Sequence, residues 1–159
     1  MDKLLKLLKQ NALETPGNLA KMLNMSEADI KTKIKKYERA GVIRGYQAIV
    51  NEDSLNLKRV DAVIEVKITP EREGGFDRLA GRIAKFPEVE AMYLMSGGYD
   101  LLVFISGADL REVASFVASK LATMDGVVST ATHFMLKTYK ERGILMEVKD
   151  EQERLKVSP

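Results

Sequence analysis

Between residues 60 and 138 the chain runs twice through one rhythm that few folds accept. Val60, Ala62, Ile64, Val66 and Ile68 alternate with mostly polar neighbours, the period of a half-buried strand. "TPEREGG" follows as a loop, and then Phe76, Leu79, Ala80, Ile83 and Phe86 recur at helical spacing until Pro87 stops them. Val89, Ala91, Tyr93 and Met95 alternate in a second strand; "SGGYD" turns the chain, and "LLVFIS" reads as a third. Asp109 and Glu112 have capping-box spacing ahead of a longer helix, whose buried stripe is expected at Leu110, Val113, Ala114, Val117, Leu121 and Met124. "DG" at 125–126 leads into a last strand, "VVSTATHFMLKT".

Strand-helix-strand twice over is the split βαβ, ferredoxin-like α+β sandwich, βαββαβ in order: four antiparallel strands with both helices on one face. Val63 beside Ala62, and Leu102 beside Val103, put apolar side chains on both sides of the strands. The face without helices is therefore expected to bury itself against another copy of the chain.

Residues 1–50 have a different character. They hold 10 Lys and Arg against 5 Asp and Glu, whereas the remainder holds 15 against 18, although the whole chain is only +2. A basic head on a mildly acidic remainder predicts two modules, and the basic one is suited to nucleic acid. Leu4, Leu5, Leu7, Leu8 and Ala12 mark a first amphipathic helix. A second opens at "TPGNLAKML", with Thr15 as cap and Pro16 at the first helical position, where its missing N–H costs nothing. Asn24 suits the left-handed residue of a tight turn, and Ser26 caps the next helix, with Asp29 three residues on. Within that helix Ile30, Ile34 and Tyr37 form an inward stripe, while Lys31, Thr32, Lys33, Lys35, Lys36 and Arg39 cover the remaining arc. Gly41 ends it, and "VIRGYQAIV" is expected to be a short strand turning at Arg44–Gly45. Two short helices, a tight turn, a small Ala20 at their crossing and a basic second member make a winged helix-turn-helix pattern.

The stretch "LAKMLNMSEADIKTKIKKYERAGVIRGYQAIVN" resembles the DNA-binding module of the Lrp/AsnC family, the leucine-responsive or feast/famine transcription regulators, above all in its closing "AGVIRGYQAIVN". "VDAVIEVKITPEREGGFDRLAGRIAKFPEVEAMYLMSGGYDLLV" is similar to the ligand-sensing (RAM) module of the same regulators. The resemblance implies that the helix beginning at Ser26 enters the major groove of double-stranded DNA. Glu27, Ala28, Lys31 and Thr32 would then face base edges, and Lys33, Lys35, Lys36, Arg39 and Arg44 would hold phosphates. It also implies a homodimer joined through the sheets, assembling to an octamer, with an amino-acid effector bound between dimers. Carried across, the effector loop is Met95, Ser96, Gly97, Gly98, Tyr99 and Asp100, faced by Thr130 and Thr132.

The residue chemistry fits both assignments. Paired glycines let backbone N–H groups approach a carboxylate, and Asp100 is suited to accept from an α-ammonium group. Asn24 stands where the family usually has glycine. Glu27 and Asp29 place acid at the groove-facing end, where an acid accepts from cytosine but repels phosphate. Capping explains Asp29; Glu27 implies either unusual specificity or weak binding.

The expected boundaries are a DNA-binding domain at 1–50, a hinge at 51–59 ("NEDSLNLKR"), the sensing and oligomerisation domain at 60–146 and a charged tail at 147–159. From Tyr139 onward the pattern leaves open a frayed helix or a strand added to a neighbour. No cysteine, no signal peptide and no apolar run of membrane length are found, so the expected address is the cytoplasm. With no Cys and His133 as the single histidine, read as packed or at an interface, neither a metal site, a cofactor nor a catalytic residue is expected. Siroheme decarboxylases resemble the same two-domain plan, but their tetrapyrrole chemistry leans on histidine and arginine around a large pocket, and this chain has a single histidine. A ligand-binding module that no longer binds DNA is the other alternative.

Overall fold

In the computed structural model, which describes residues 1–55, 57–70 and 75–146, the chain divides into two compact units, Met1–Val50 and Asn51–Pro159. Three short helices build the first. Helix α1 (Lys3–Gln10) starts where the Asp2 carboxylate accepts from the Leu4 N–H at 2.9 Å. It ends before Ala12, because Asn11 turns to an extended conformation. Helix α2 (Pro16–Leu23) has Pro16 at its first position and the Thr15 hydroxyl accepting from the Asn18 N–H at 3.2 Å. Asn24 follows at φ 51°, the left-handed residue that swings the chain into α3 (Glu27–Arg39). Ser26 caps α3, its hydroxyl accepting from the Asp29 N–H at 3.0 Å.

The inward residues of these helices meet in one small core. Leu4, Leu8, Leu19, Ala20 and Ile30 are buried, with Ile34, Tyr37 and Ile43 packed against them. Each fully buried leucine or isoleucine here contributes roughly 1.5–3 kcal/mol relative to exposure. Beyond the end of α3, Gly41 at φ 68° turns the chain, and the N–H groups of Val42 and Ile43 both close onto the Tyr37 carbonyl. The strand expected at "VIRGYQAIV" does not form: residues 42–50 pair with no strand among the described residues. A lone segment has no ladder to join, and two strands alone are marginal in water.

In the second unit a 3₁₀ turn (Glu52–Leu55) precedes β1 (Val60–Ile68). Helix α4 (Asp77–Ile83), β2 (Val89–Leu94), β3 (Leu101–Gly107), α5 (Leu110–Phe116) and β4 (Val127–Phe134) follow. The sheet order is β2-β3-β1-β4, every neighbour antiparallel, which is the ferredoxin-like topology. Ala62, Ile64, Val66 and Ile68 of β1 and Leu101, Val103 and Ile105 of β3 form one buried layer. Leu79 and Ile83 of α4 and Val113, Phe116 and Leu121 form the other. Both helices thus cover one face of the sheet. Phe86 packs edge-on against Phe116, ring centroids 5.6 Å apart.

Four details depart from the sequence pattern. Helix α4 ends at Ile83, and Phe86 sits in the turn beyond it. Strand β2 has a register shift between Val89 and Ala91, so Val89 and Met92 reach the core while Tyr93 stays exposed. A bulge adds one residue and reverses the alternation after it. Helix α5 passes at Val117 into a π-helical turn, Val117–Leu121; Phe116 is buried, whereas Leu110 and Ala114 are exposed. The tail after β4 makes a small hairpin, β5 (Lys140–Glu141) with β6 (Ile144–Leu145), turning through Arg142 and Gly143 at positive φ. The Asn51 side chain donates to the Met146 carbonyl at 2.6 Å, and the expected charged tail at 147–159 lies outside the described residues.

The sheet face away from the helices carries half-buried Val63, Leu102 and Phe104, with Tyr93 edge-on to Phe104 at 5.9 Å. His133 belongs to this face; its side chain is exposed, 3.4 Å from Glu65. No helix among the described residues is long and apolar enough to cross a membrane.

Candidate nucleic-acid interface and effector loop

Helix α3 presents its cations because its apolar residues fall on the other side. Ile30 is fully buried, and the arc opposite it exposes Ala28, Lys31, Thr32, Lys35, Lys36 and Arg39. Thr32, Lys35, Lys36, Arg39 and Ala40 line an open hollow on this surface. Lys35, Lys36 and Arg39 have no ion pair among the described residues, so their charge is available to an anion. Lys31 is partnered: its ammonium lies 2.5 Å from Glu27, one turn back, with both side chains more than half exposed.

Lys33 behaves differently from the phosphate-holding role expected of it. Its ammonium turns away from the exposed arc and donates to the Asp2 carboxylate at 2.9 Å. That hydrogen bond is the main cause holding the Asp2 carboxyl below its ordinary value and the Lys33 ammonium above its own. Sequence spacing gave no sign of this pair, because the partners lie 31 residues apart. Ser26 and Asp29 are occupied with each other, the Ser26 hydroxyl donating to the Asp29 carboxylate at 2.6 Å. Arg44 lies over Gly41, where a Cβ would come within 3.1 Å of the guanidinium carbon. Tyr46, not singled out from the sequence, donates its hydroxyl to Glu38 of α3 at 3.0 Å; burial first, and then Glu38, push its phenol pKa up.

The β2–β3 connection closes on itself, the Met95 N–H donating to the Asp100 carbonyl at 2.8 Å. Met95, Ser96, Gly97 and Gly98 are exposed, and Tyr99 and Asp100 are half-buried. Asp100 is fastened to β1: its N–H donates to the Val66 carbonyl, and its carboxylate accepts from the Ile68 N–H at 2.8 Å. One carboxylate oxygen therefore continues the β1–β3 ladder past its last paired residues, Val66 and Leu101, which the expected role as ammonium acceptor left out. Gly97 and Gly98 have no left-handed φ, and a Cβ on either would meet nothing within 4 Å. The fold of this chain does not itself demand glycine at either position.

Thr130 and Thr132 pair with Val66 and Ile64 on the far side of β1 from β3. A single chain thus keeps them apart from the β2–β3 connection, since β1 intervenes.

Comparison with known proteins agrees with this architecture in both units. A model of the Lrp/AsnC ligand binding domain matches residues 61–145, and one of winged helix-turn-helix DNA-binding matches residues 3–44. The uncharacterized HTH-type transcriptional regulator YugG of Bacillus subtilis (strain 168) is 45% identical over 157 residues, 98% of this chain and 95% of that protein. The HTH-type transcriptional regulator FL11 of Pyrococcus horikoshii is 30% identical over 139 residues, 87% of this chain and 89% of that one. A transcriptional regulator of Neisseria meningitidis, solved as its L-Met complex, superposes with TM-score 0.68 at 28% identity, covering 89% of this chain and 93% of the other. With both modules matched in order, this chain belongs to the Lrp/AsnC family of helix-turn-helix transcription regulators.

Proposed function

We propose that this cytoplasmic regulator holds duplex DNA with α3 in the major groove, and that an amino acid bound at the β2–β3 connection modulates it. The observation carrying the DNA reading is the division of labour on α3: Lys35, Lys36 and Arg39 are unpaired on the exposed arc, while the apolar stripe is packed away. Cations held by a rigid helix supply the sequence-independent phosphate contacts that dominate affinity. Pairing of the half-buried face of Val63, Leu102 and Phe104 with a second copy presents two such helices to one duplex. Assembly of dimers into a larger ring, up to an octamer, follows the family plan and brings Thr130 or Thr132 of one copy toward the loop of another.

For the effector, the supporting features are the open backbone at Gly97 and Gly98 and the remaining acceptor capacity of the Asp100 carboxylate. The relative from Neisseria meningitidis was solved with L-Met. Ligand binding works here by favouring one arrangement of dimers over another. No step of this reading needs a catalytic residue.

The test is DNA binding as a function of salt, with and without a panel of amino acids, on samples whose mass is measured by light scattering. Affinity is expected to fall with salt at a log–log slope of about 0.9 per phosphate neutralised. Replacing Lys35, Lys36 and Arg39 with alanine together lowers that slope by roughly 2–3. An unchanged slope removes α3 as the contact surface, and a panel that alters neither affinity nor mass removes those amino acids as effectors.

A further inference from the structure

We propose that Glu27 and Lys31 read one G·C base pair of the operator as a unit, Glu27 toward cytosine and Lys31 toward guanine. This rests on the reading of α3 as the groove-entering helix. Glu27 is the first residue of α3, at the leading end that meets base edges in helix-turn-helix docking. Capping does not account for it, because Ser26 and Asp29 already close the cap between them. One oxygen of Glu27 lies 2.5 Å from the Lys31 ammonium, and the other has no hydrogen-bond partner among the described residues. That second oxygen rests beside Gly17 of α2, 3.6 Å from where a Cβ would stand, so the pair sets an acceptor without a hydrogen-bond partner beside a cationic donor, on side chains more than half exposed.

That arrangement is complementary to a G·C pair in a way it is not to A·T. In the major groove a G·C pair places its two acceptors, guanine N7 and O6, together, with the cytosine N4 donor on the outer side. An anion beside a cation matches that segregated order. An A·T pair alternates acceptor, donor, acceptor, so a carboxylate reaching the adenine amino group meets an acceptor on each flank. Pairing with Lys31 also cancels the charge of Glu27, so its approach to the phosphates is not opposed by a net negative charge. Lys35, Lys36 and Arg39 remain to supply affinity.

The experiment is selection of duplexes from a randomised pool by the full-length protein, Glu27→Gln, Lys31→Ala and Asp29→Asn at one fixed ionic strength. The parent is expected to enrich a G·C pair at a defined position of each half-site. Glu27→Gln shifts that position toward adenine, with which glutamine pairs through two hydrogen bonds. Lys31→Ala loses roughly tenfold of discrimination at the same position and little elsewhere. Asp29→Asn, with its side chain turned into the cap, selects the parental sequence. The proposal is overturned if Glu27→Gln selects what the parent selects, if the two variants alter different positions, or if the parent enriches no G·C position; each result leaves DNA binding itself standing. A parent that retains no duplex even at low salt overturns the groove reading and this proposal together.

Discussion

The Lys33 ammonium lies 2.9 Å from the Asp2 carboxylate, joining the second turn of α3 to the residue that caps α1. The same carboxylate accepts from the Leu4 N–H, so one side chain both starts a helix and fastens another to it. Because the Asp2 pKa is lowered, its stabilisation is complete above the ordinary carboxylate value of 3.8 and is lost as pH falls through the lowered one. Because the Lys33 pKa is raised, its share is complete below 10.5 and is lost as pH climbs through the raised value. Asp2→Asn is therefore expected to melt at a lower temperature than the parent at neutral pH, with the two curves converging in acid below the carboxylate range. Circular dichroism melts from pH 7 down to about pH 2, well below the ordinary carboxylate value, check this, and a difference that persists unchanged to the acid end would mean that the contact is not formed in solution.

Two left-handed residues bracket α3, Asn24 before it and Gly41 after it. A left-handed conformation costs a residue with a Cβ about 1–2 kcal/mol, and asparagine bears it better than most. Asn24→Gly should accordingly be neutral or slightly stabilising, whereas Gly41→Ala should cost about 1 kcal/mol or more. The added methyl at 41 would also press on Arg44, 3.1 Å away. Urea unfolding of the two variants beside the parent measures both, and equal stability of all three would contradict the backbone assignment.

The Asp100 carboxylate holds the Ile68 N–H, so removing it disturbs the sheet as well as any ligand site. Asp100→Ala is expected to lower stability by about 1 kcal/mol through the lost acceptor. Asp100→Asn keeps a carbonyl acceptor and removes the charge, so it should melt near the parent while weakening any amino-acid-induced thermal shift. Thermal-shift titrations of the three proteins separate these effects; an undiminished ligand shift in Asp100→Asn would dismiss Asp100 as the ammonium partner.

Phe116 and Leu110 lie on the same short helix with opposite exposures, 4% and 57%. Truncating a buried phenylalanine typically costs about 3–5 kcal/mol, and an exposed leucine within roughly 0.5 kcal/mol. Phe116→Ala is therefore expected to unfold the second unit at markedly lower denaturant, and Leu110→Ala to leave it nearly unchanged. Comparable losses from the two would mean that the helix is rotated from the orientation described.

The local devices of this chain could be read directly from residue order. Thr15, Ser26 and Asp109 cap the helices they precede, and each bond spans three residues. Asn24 and Gly41 take the left-handed turns their chemistry suits. The alternation of β1 and the apolar run of β3 marked both as strands, and with the helical periods that follow each strand pair they were enough to recover the ferredoxin-like order of elements. Within the site, the exposed arc of α3 followed from helical periodicity alone.

Other features depended on partners that periodicity does not encode. The bulge in β2 sends Met92 inward because β3 fixes its register, and Phe116 faces the core because Phe86 and the sheet lie on that side. Lys33 looked like any other lysine of α3 until folding brought Asp2 beside it. Asp100 was tied to Ile68, and Thr130 and Thr132 were set across β1 from the loop, only by the antiparallel registers. Short-range bonds repeat wherever the same few residues occur, so order along the chain determined the caps, turns and strand rhythm. Which charged side chain remains free and which becomes a strut depends on contacts across tens of residues, and the packed tertiary structure alone decided that.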